Sequence, residues 1–246
     1  MYLPAVISHR GAAAHAPENT LAGVRRAAAL GASWVEFDVK LTADNCCILF
    51  HDDTLERTTD GSGPVAGTSY DEISRLDAGS WFAPEFAGER VPRLGAALDQ
   101  VHELDLHAHV EIKPCPGREV ETAQAVMAEV LGCWPGERPP PMIASFKAEC
   151  LAVARAVAPE WPRVLNCLRI PRDWRRRLEA VDCRILACLH RRLTPRKVAM
   201  FAAAGVAVVA FTVNEPGRAA ALLEWGVSTI VSDAPDVILP VAAETA

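Results

Sequence analysis

Val35-Glu36-Phe37-Asp38-Val39-Lys40-Leu41 reads as a strand with two unlike faces. Side chains on a strand alternate sides with period two. Val35, Phe37, Val39 and Leu41 share one face, and Glu36, Asp38 and Lys40 share the other. The apolar face suits a layer of helices, and the charged face suits the interior of a barrel near its mouth. The stretch 107–113 repeats the pattern: His107, His109, Glu111 and Lys113 lie on one side, Ala108, Val110 and Ile112 on the other.

Outward from these two segments, short apolar β-like runs alternate with Ala- and Leu-rich helical runs. Strands are expected at 5–8, 34–41, 107–113, 142–145, 163–167, 184–188, 206–211 and 229–232. Helices are expected at 19–30, 93–104, 118–131, 147–157, 171–181, 194–204 and 215–225. Asn19 is the expected N-cap of the first helix and Gly31 its stop, while Gly205 and Gly226 end the last two. Eight strands, nearly every one followed by a helix, predict an α/β fold, a (β/α)8 TIM barrel. An open doubly wound sheet is the alternative, but it leaves units over. The 246 residues match one barrel domain of about 250, so 1–246 is expected to be a single domain. The connection after His51 is too long for an ordinary loop of about 2–6 residues. It is read as an insertion, about 52–92, lying over one mouth of the barrel.

Bulk composition narrows the function. The net charge is -6 and no Lys/Arg stretch is interleaved with aromatics, which argues against nucleic acid as a partner. The run Arg172 to Arg177 reads as a solvated helix face. None of the eight cysteines forms a C-x-x-C pair, so a zinc ribbon or redox motif is not expected. The start of the chain lacks a basic and then apolar leader, and no apolar run reaches the ~18 residues that span a bilayer. The expectation is a cytoplasmic protein without stable membrane insertion, monomer or homodimer.

The charged faces carry the chemistry. Alternate carboxylates on one strand stand about 7 Å apart. Buried together they repel each other and are costly to desolvate. A divalent cation held by Glu36, Asp38 and Glu111 relieves both effects; a structural ion-pair network of these residues with Lys113 is the other reading. Three carboxylates form an all-oxygen set, which favours Mg²⁺ or Ca²⁺ over zinc. His9 closes the first strand, and His51 follows the apolar run 46–50. Each can exchange a proton near neutral pH. Two histidines flanking a metal suit cleavage of a bond with a poor leaving group. Arg10 offers a planar fork to phosphate oxygens, and Lys113 a point charge.

The ordered set His9-Arg10-Gly11, Glu18-Asn19-Thr20, Glu36-x-Asp38, His51-Asp52, Glu111-x-Lys113, Ser145-Phe146, Thr212-Val213-Asn214 and Asp233-Ala234-Pro235 resembles the glycerophosphodiester phosphodiesterase family. The resemblance runs from about residue 6 to about 238. It implies a metal held by Glu36, Asp38 and Glu111, acid/base roles for His9 and His51, and phosphate contacts from Arg10 and Lys113. The implied reaction is hydrolysis of a small-molecule glycerophosphodiester to an alcohol and sn-glycerol 3-phosphate. Hydrolysis of lysophospholipids and non-catalytic binding of phosphoglycerol are the alternatives. Two positions depart from the family: Phe211 stands where Trp is common, and Ser232 where Thr is common. His109, one pleat below Glu111, is expected to be a packed interior histidine.

Overall fold

In the computed structural model, which describes residues 3–245, the chain closes a barrel of eight parallel strands. The strands are β1 (Val6–Ser8), β2 (Trp34–Leu41), β3 (Cys47–Leu49), β4 (His107–Ile112), β5 (Met142–Ser145), β6 (Arg163–Cys167), β7 (Ile185–Leu189), β8 (Ala207–Phe211) and β9 (Thr229–Ser232). All but β3 belong to the ring, which shuts where β1 pairs with both β2 and β9. The short β3 is an addition to the predicted set. It runs antiparallel to the far end of β2, pairing Val39 with Leu49 and Leu41 with Cys47.

The helices are α1 (Leu21–Ala29), α2 (Tyr70–Ile73), α3 (Leu94–Glu103), α4 (Glu119–Cys133), α5 (Ala148–Val157), α6 (Trp174–Ala180), α7 (Pro195–Ala202), α8 (Pro216–Glu224) and α9 (Pro235–Thr245). The last was not expected from the sequence, because Pro240 sits inside it and breaks the helical signal. The N-cap expectation also needs correction. Thr20, not Asn19, caps α1: its hydroxyl accepts from the Gly23 amide at 3.1 Å. Asn19 instead takes a left-handed φ of 55°, which frees its side chain for the barrel interior. Gly31, Gly205 and Gly226 adopt positive φ at the ends of α1, α7 and α8, the helix stop that glycine supplies at least strain.

Alternation on β2 has the predicted result. Val35, Phe37, Val39 and Leu41 pack outward against Val24, Leu94, Leu98 and Val126 of the helical layer. A second apolar cluster, with Ile7, Trp34, Met142, Val164 and Ile185, fills the barrel interior. The insertion after β3 has a small core of its own around Phe50, Leu55, Val65, Ile73 and Val91. Its Asp52 and Asp53 line a second pocket with Glu111, Lys113 and Phe146, while none of residues 52–92 lines the main cavity.

Candidate active site

Register does most of the assembly. β2 and β4 pair with Glu36 beside His109 and Asp38 beside Glu111. One ligand atom from each of Glu36, Asp38 and Glu111 lies within 4.8 Å of the others, and all three side chains are buried. Asn19 grips Asp38 twice: its Nδ2 donates to Oδ2 at 2.9 Å and its Oδ1 accepts from the Asp38 amide at 3.0 Å. Asn166 on β6 donates to Glu111 Oε2 at 2.8 Å. Lys113 reaches Glu111 at 2.9 Å and Asp38 at 3.2 Å, and Arg10 Nε lies 3.2 Å from Asp38.

Glu36 is served differently. Among the described residues its only hydrogen bond is from the Arg10 backbone amide at 2.8 Å, and His9 Nε2 stands 3.9 Å away. That amide points inward because β1 ends in a left-handed turn, Arg10 at φ 49° and Gly11 at φ 87°. A side chain on Gly11 would place its Cβ 2.5 Å from the Gly23 carbonyl carbon. Burial, together with the negative charge of Asp38, pushes the Glu36 carboxyl up to about 8. Asp38 goes the other way: burial opposes its ionisation, but Lys113 and Arg10 outweigh it and hold the carboxyl low. The ion pairs therefore offset the charge of Asp38, whereas Glu36 holds a proton near neutral pH unless a cation takes its place. A cluster of this donor type fits one divalent cation.

Both histidines are tied to carboxylates through Nδ1. His9 Nδ1 donates to Asp233 Oδ1 at 2.6 Å, and Asp233 Oδ2 accepts from Asn214 Nδ2 at 2.7 Å. His51 Nδ1 donates to Asp52 Oδ1 at 2.5 Å, and Asp52 is clamped by Arg57 at 2.6 and 2.9 Å. With Nδ1 engaged, each ring keeps Nε2 for the cavity. Burial alone would lower the His9 pKa, but the Asp233 hydrogen bond and the Glu36 charge raise it above the ordinary value. For His51 burial wins over the pull of Asp38, with Arg10 and Lys113 adding to the effect, and its pKa is lowered.

These groups line one side of a cavity of about 370 Å³, the size of an ordinary small-molecule site. Phe146, Leu168, Leu189, Phe211 and Val231 line the other side. Residues 9–237 match the Glycerophosphoryl diester phosphodiesterase family. The chain belongs to this family. A glycerophosphodiester phosphodiesterase of Caldanaerobacter subterraneus is 31% identical, over 95% of this chain and 96% of its own. One from Bacillus subtilis is 30% identical, over 94% of this chain and 84% of its own. A phosphodiesterase of Oleispira antarctica, solved in complex with the product sn-glycerol-3-phosphate, superposes with a TM-score of 0.95 at 38% identity, covering 98% of this chain and 97% of that one.

In this phosphodiesterase family member, all seven residues expected at the site line the one cavity: His9, Arg10, Glu36, Asp38, His51, Glu111 and Lys113. His109 lines its floor, packed and buried, with neither ring nitrogen bonded to a protein group. Burial lowers its pKa to about 4, so the ring is neutral. Lys40 faces inward as expected but pairs with Asp53 at 2.5 Å, outside the cavity. Sequence reasoning did not assign the residues that hold the others in place: Asn19, Asn166, Asp52, Asp233 and Asn214. Asn19, Asp52, Asn214 and Asp233 stood within noted motifs, so a signal existed. Asn166 stands on a short strand between Leu165 and Cys167, outside any noted motif, and only the fold connects it to Glu111.

Proposed function

We propose that this chain hydrolyses sn-glycero-3-phosphodiesters to an alcohol and sn-glycerol 3-phosphate, with one divalent cation, Mg²⁺ or Ca²⁺, and with His9 and His51 as acid and base. The observation that carries the reading is the pair of carboxylate-anchored histidines beside a buried acidic cluster whose Glu36 has, among the described residues, no Lys or Arg ion pair and only His9 at 3.9 Å. A cation on Glu36, Asp38 and Glu111 supplies Lewis-acid charge stabilisation and a template for substrate oxygens.

The two histidines divide the proton work by their environments. His51, with its lowered pKa, is neutral at pH 7 and takes the proton of the attacking hydroxyl at Nε2, either from water or from the substrate's own 2-hydroxyl, in which case a cyclic phosphate forms first and water then opens it to glycerol 3-phosphate. His9, whose pKa is raised despite burial by the Asp233 hydrogen bond and the Glu36 charge, favours the protonated ring and delivers a proton from Nε2 to the departing alcohol oxygen. Asp233 and Asp52 keep both rings in the tautomer that makes this possible. Arg10 and Lys113 face the same space and balance charge on the phosphoryl oxygens. Every one of these groups comes from one chain, so the reading requires no second subunit. All eight cysteines are free thiols, which agrees with a cytoplasmic location.

Phosphorus NMR of the products of glycerophosphoglycerol and glycerophosphocholine tests the bond cleaved. Glycerol 3-phosphate plus free alcohol is the expected pair. Phosphoalcohol plus glycerol, or no turnover by the folded, metal-loaded protein, overturns the reading.

A further inference from the structure

The cavity has a second end, away from the acidic cluster, where β6, β7 and β8 finish. Leu168 lies there, 58% exposed, with Leu189, His190, Arg191 and Phe211. The ring of His190 is set by Arg218 on α8. Arg218 donates from Nη2 to the His190 carbonyl at 2.5 Å and from Nε to Nδ1 at 3.3 Å. Nδ1 is thus an acceptor, and the ring proton sits on Nε2. Burial, with the charges of Arg218 and Arg191, lowers the ring's pKa and keeps it neutral. The far end therefore carries one N–H donor on His190, one exposed guanidinium on Arg191, and Thr212 next to Phe211 on the cavity lining.

Apart from Glu36, Asp38 and Glu111, no carboxylate among the described residues lines this cavity. A cationic alcohol would meet the Arg191 guanidinium with no counter-charge beside it. Aromatic faces are the other way to bind an ammonium group. Here the Phe146 ring already has Lys113 Nζ 5.4 Å from its centroid and stands edge-to-face with Phe211. Hydroxyl and phosphate oxygens, by contrast, find donors in both His190 and Arg191.

On the phosphodiesterase reading above, we infer that the leaving alcohol is a hydroxylated one without positive charge, of the glycerol or inositol type or a phosphate of these, and that Arg191 with His190 sets this preference. Neither residue belongs to the acid/base pair or the acidic cluster. The test compares kcat/KM for glycerol 3-phosphate release from glycerophosphoglycerol, glycerophosphoinositol and glycerophosphocholine, and for lysophosphatidic acid release from lysophosphatidylcholine. Wild type and Arg191→Glu are measured with metal present. The wild type should favour the two polyol substrates over glycerophosphocholine by about tenfold or more, the scale of one well-placed polar contact. Arg191→Glu should bring that ratio to near one or below. Equal or faster hydrolysis of glycerophosphocholine, an unchanged ratio in Arg191→Glu, or a preference for lysophosphatidylcholine overturns the inference while leaving the phosphodiesterase reading in place. No release from any of the four by folded, metal-loaded protein removes both.

Discussion

The wall of the mouth built by β1, β2 and β4 and the wall built by β6, β7 and β8 use the same element, a parallel strand, and fill it in opposite ways. The first places Glu36, Asp38, Glu111, Lys113 and His9 in one buried network. The second turns Ala187, Val209 and Phe211 toward the same space, with Asn166 as its buried polar side chain and His190 and Arg191 at its rim. Charges on the first wall hold each other at fixed positions, with bonds of 2.6 to 3.2 Å. Apolar side chains on the second provide shape without fixed direction. On the proposed reading the difference is a division of labour: the charged wall would perform the reaction, and the apolar wall would select what leaves.

Substitutions on the charged wall should have the largest effects. His9→Ala and His51→Ala should each lower kcat by about 10²–10⁴-fold with little change in melting temperature. The pH profile sharpens this. His51 must be neutral, so its loss should flatten the acid limb; His9 must be protonated, so its loss should flatten the basic limb. Near-wild-type turnover in either variant breaks the comparison on its charged side.

The next effect belongs to a residue that crosses from one wall to the other. Asn166 rises from β6 to hold Glu111 at 2.8 Å. Asn166→Leu should weaken divalent-metal affinity by about 10–100-fold, the usual scale for a residue that orients a metal ligand. Calorimetric titration with Mg²⁺ or Ca²⁺ reads it directly, and an unchanged affinity would show that Glu111 needs no such support.

Stability of the metal-free protein should carry the mark of Glu36. Its carboxyl is raised from 4.5 to about 8, so the folded state favours the protonated form. The stabilisation linked to that proton is complete below about 4.5 and lost as pH rises toward about 8. Melting temperature should thus fall across this window, with a smaller fall in Glu36→Gln. Equal slopes in both proteins would remove Glu36 from the buried charge excess.

The smallest effect should lie on the apolar wall. Phe211→Trp, which restores the residue common in the family, should change kcat/KM by less than about tenfold and alter mainly the ranking of alcohols. A loss as large as that of a histidine variant would erase the distinction between the walls.

The charged wall was also the more legible in sequence. Period-two alternation on β2 and β4 showed which side chains face inward, and parallel register then brought Asp38 level with Glu111. The apolar wall carries no such signal, since an inward Ala187 or Val209 reads like an outward one. Asn19 was legible as a polar residue at a helix start but not in its role. Capping and gripping a buried carboxylate call for the same side chain, and only the left-handed φ of 55° separates them. The short β3 and the proline-bearing α9 escaped because three residues are too few for periodicity and Pro240 contradicts a helix.

The most direct test is glycerol 3-phosphate release from glycerophosphoglycerol by metal-stripped wild-type protein and Glu36→Gln, titrated with Mg²⁺ and with Ca²⁺. Stripped wild type should be inactive and should recover on addition of one of the ions, with Glu36→Gln requiring a much higher concentration. Full turnover without metal, or the same metal requirement in both proteins, would contradict a cation held by Glu36, Asp38 and Glu111.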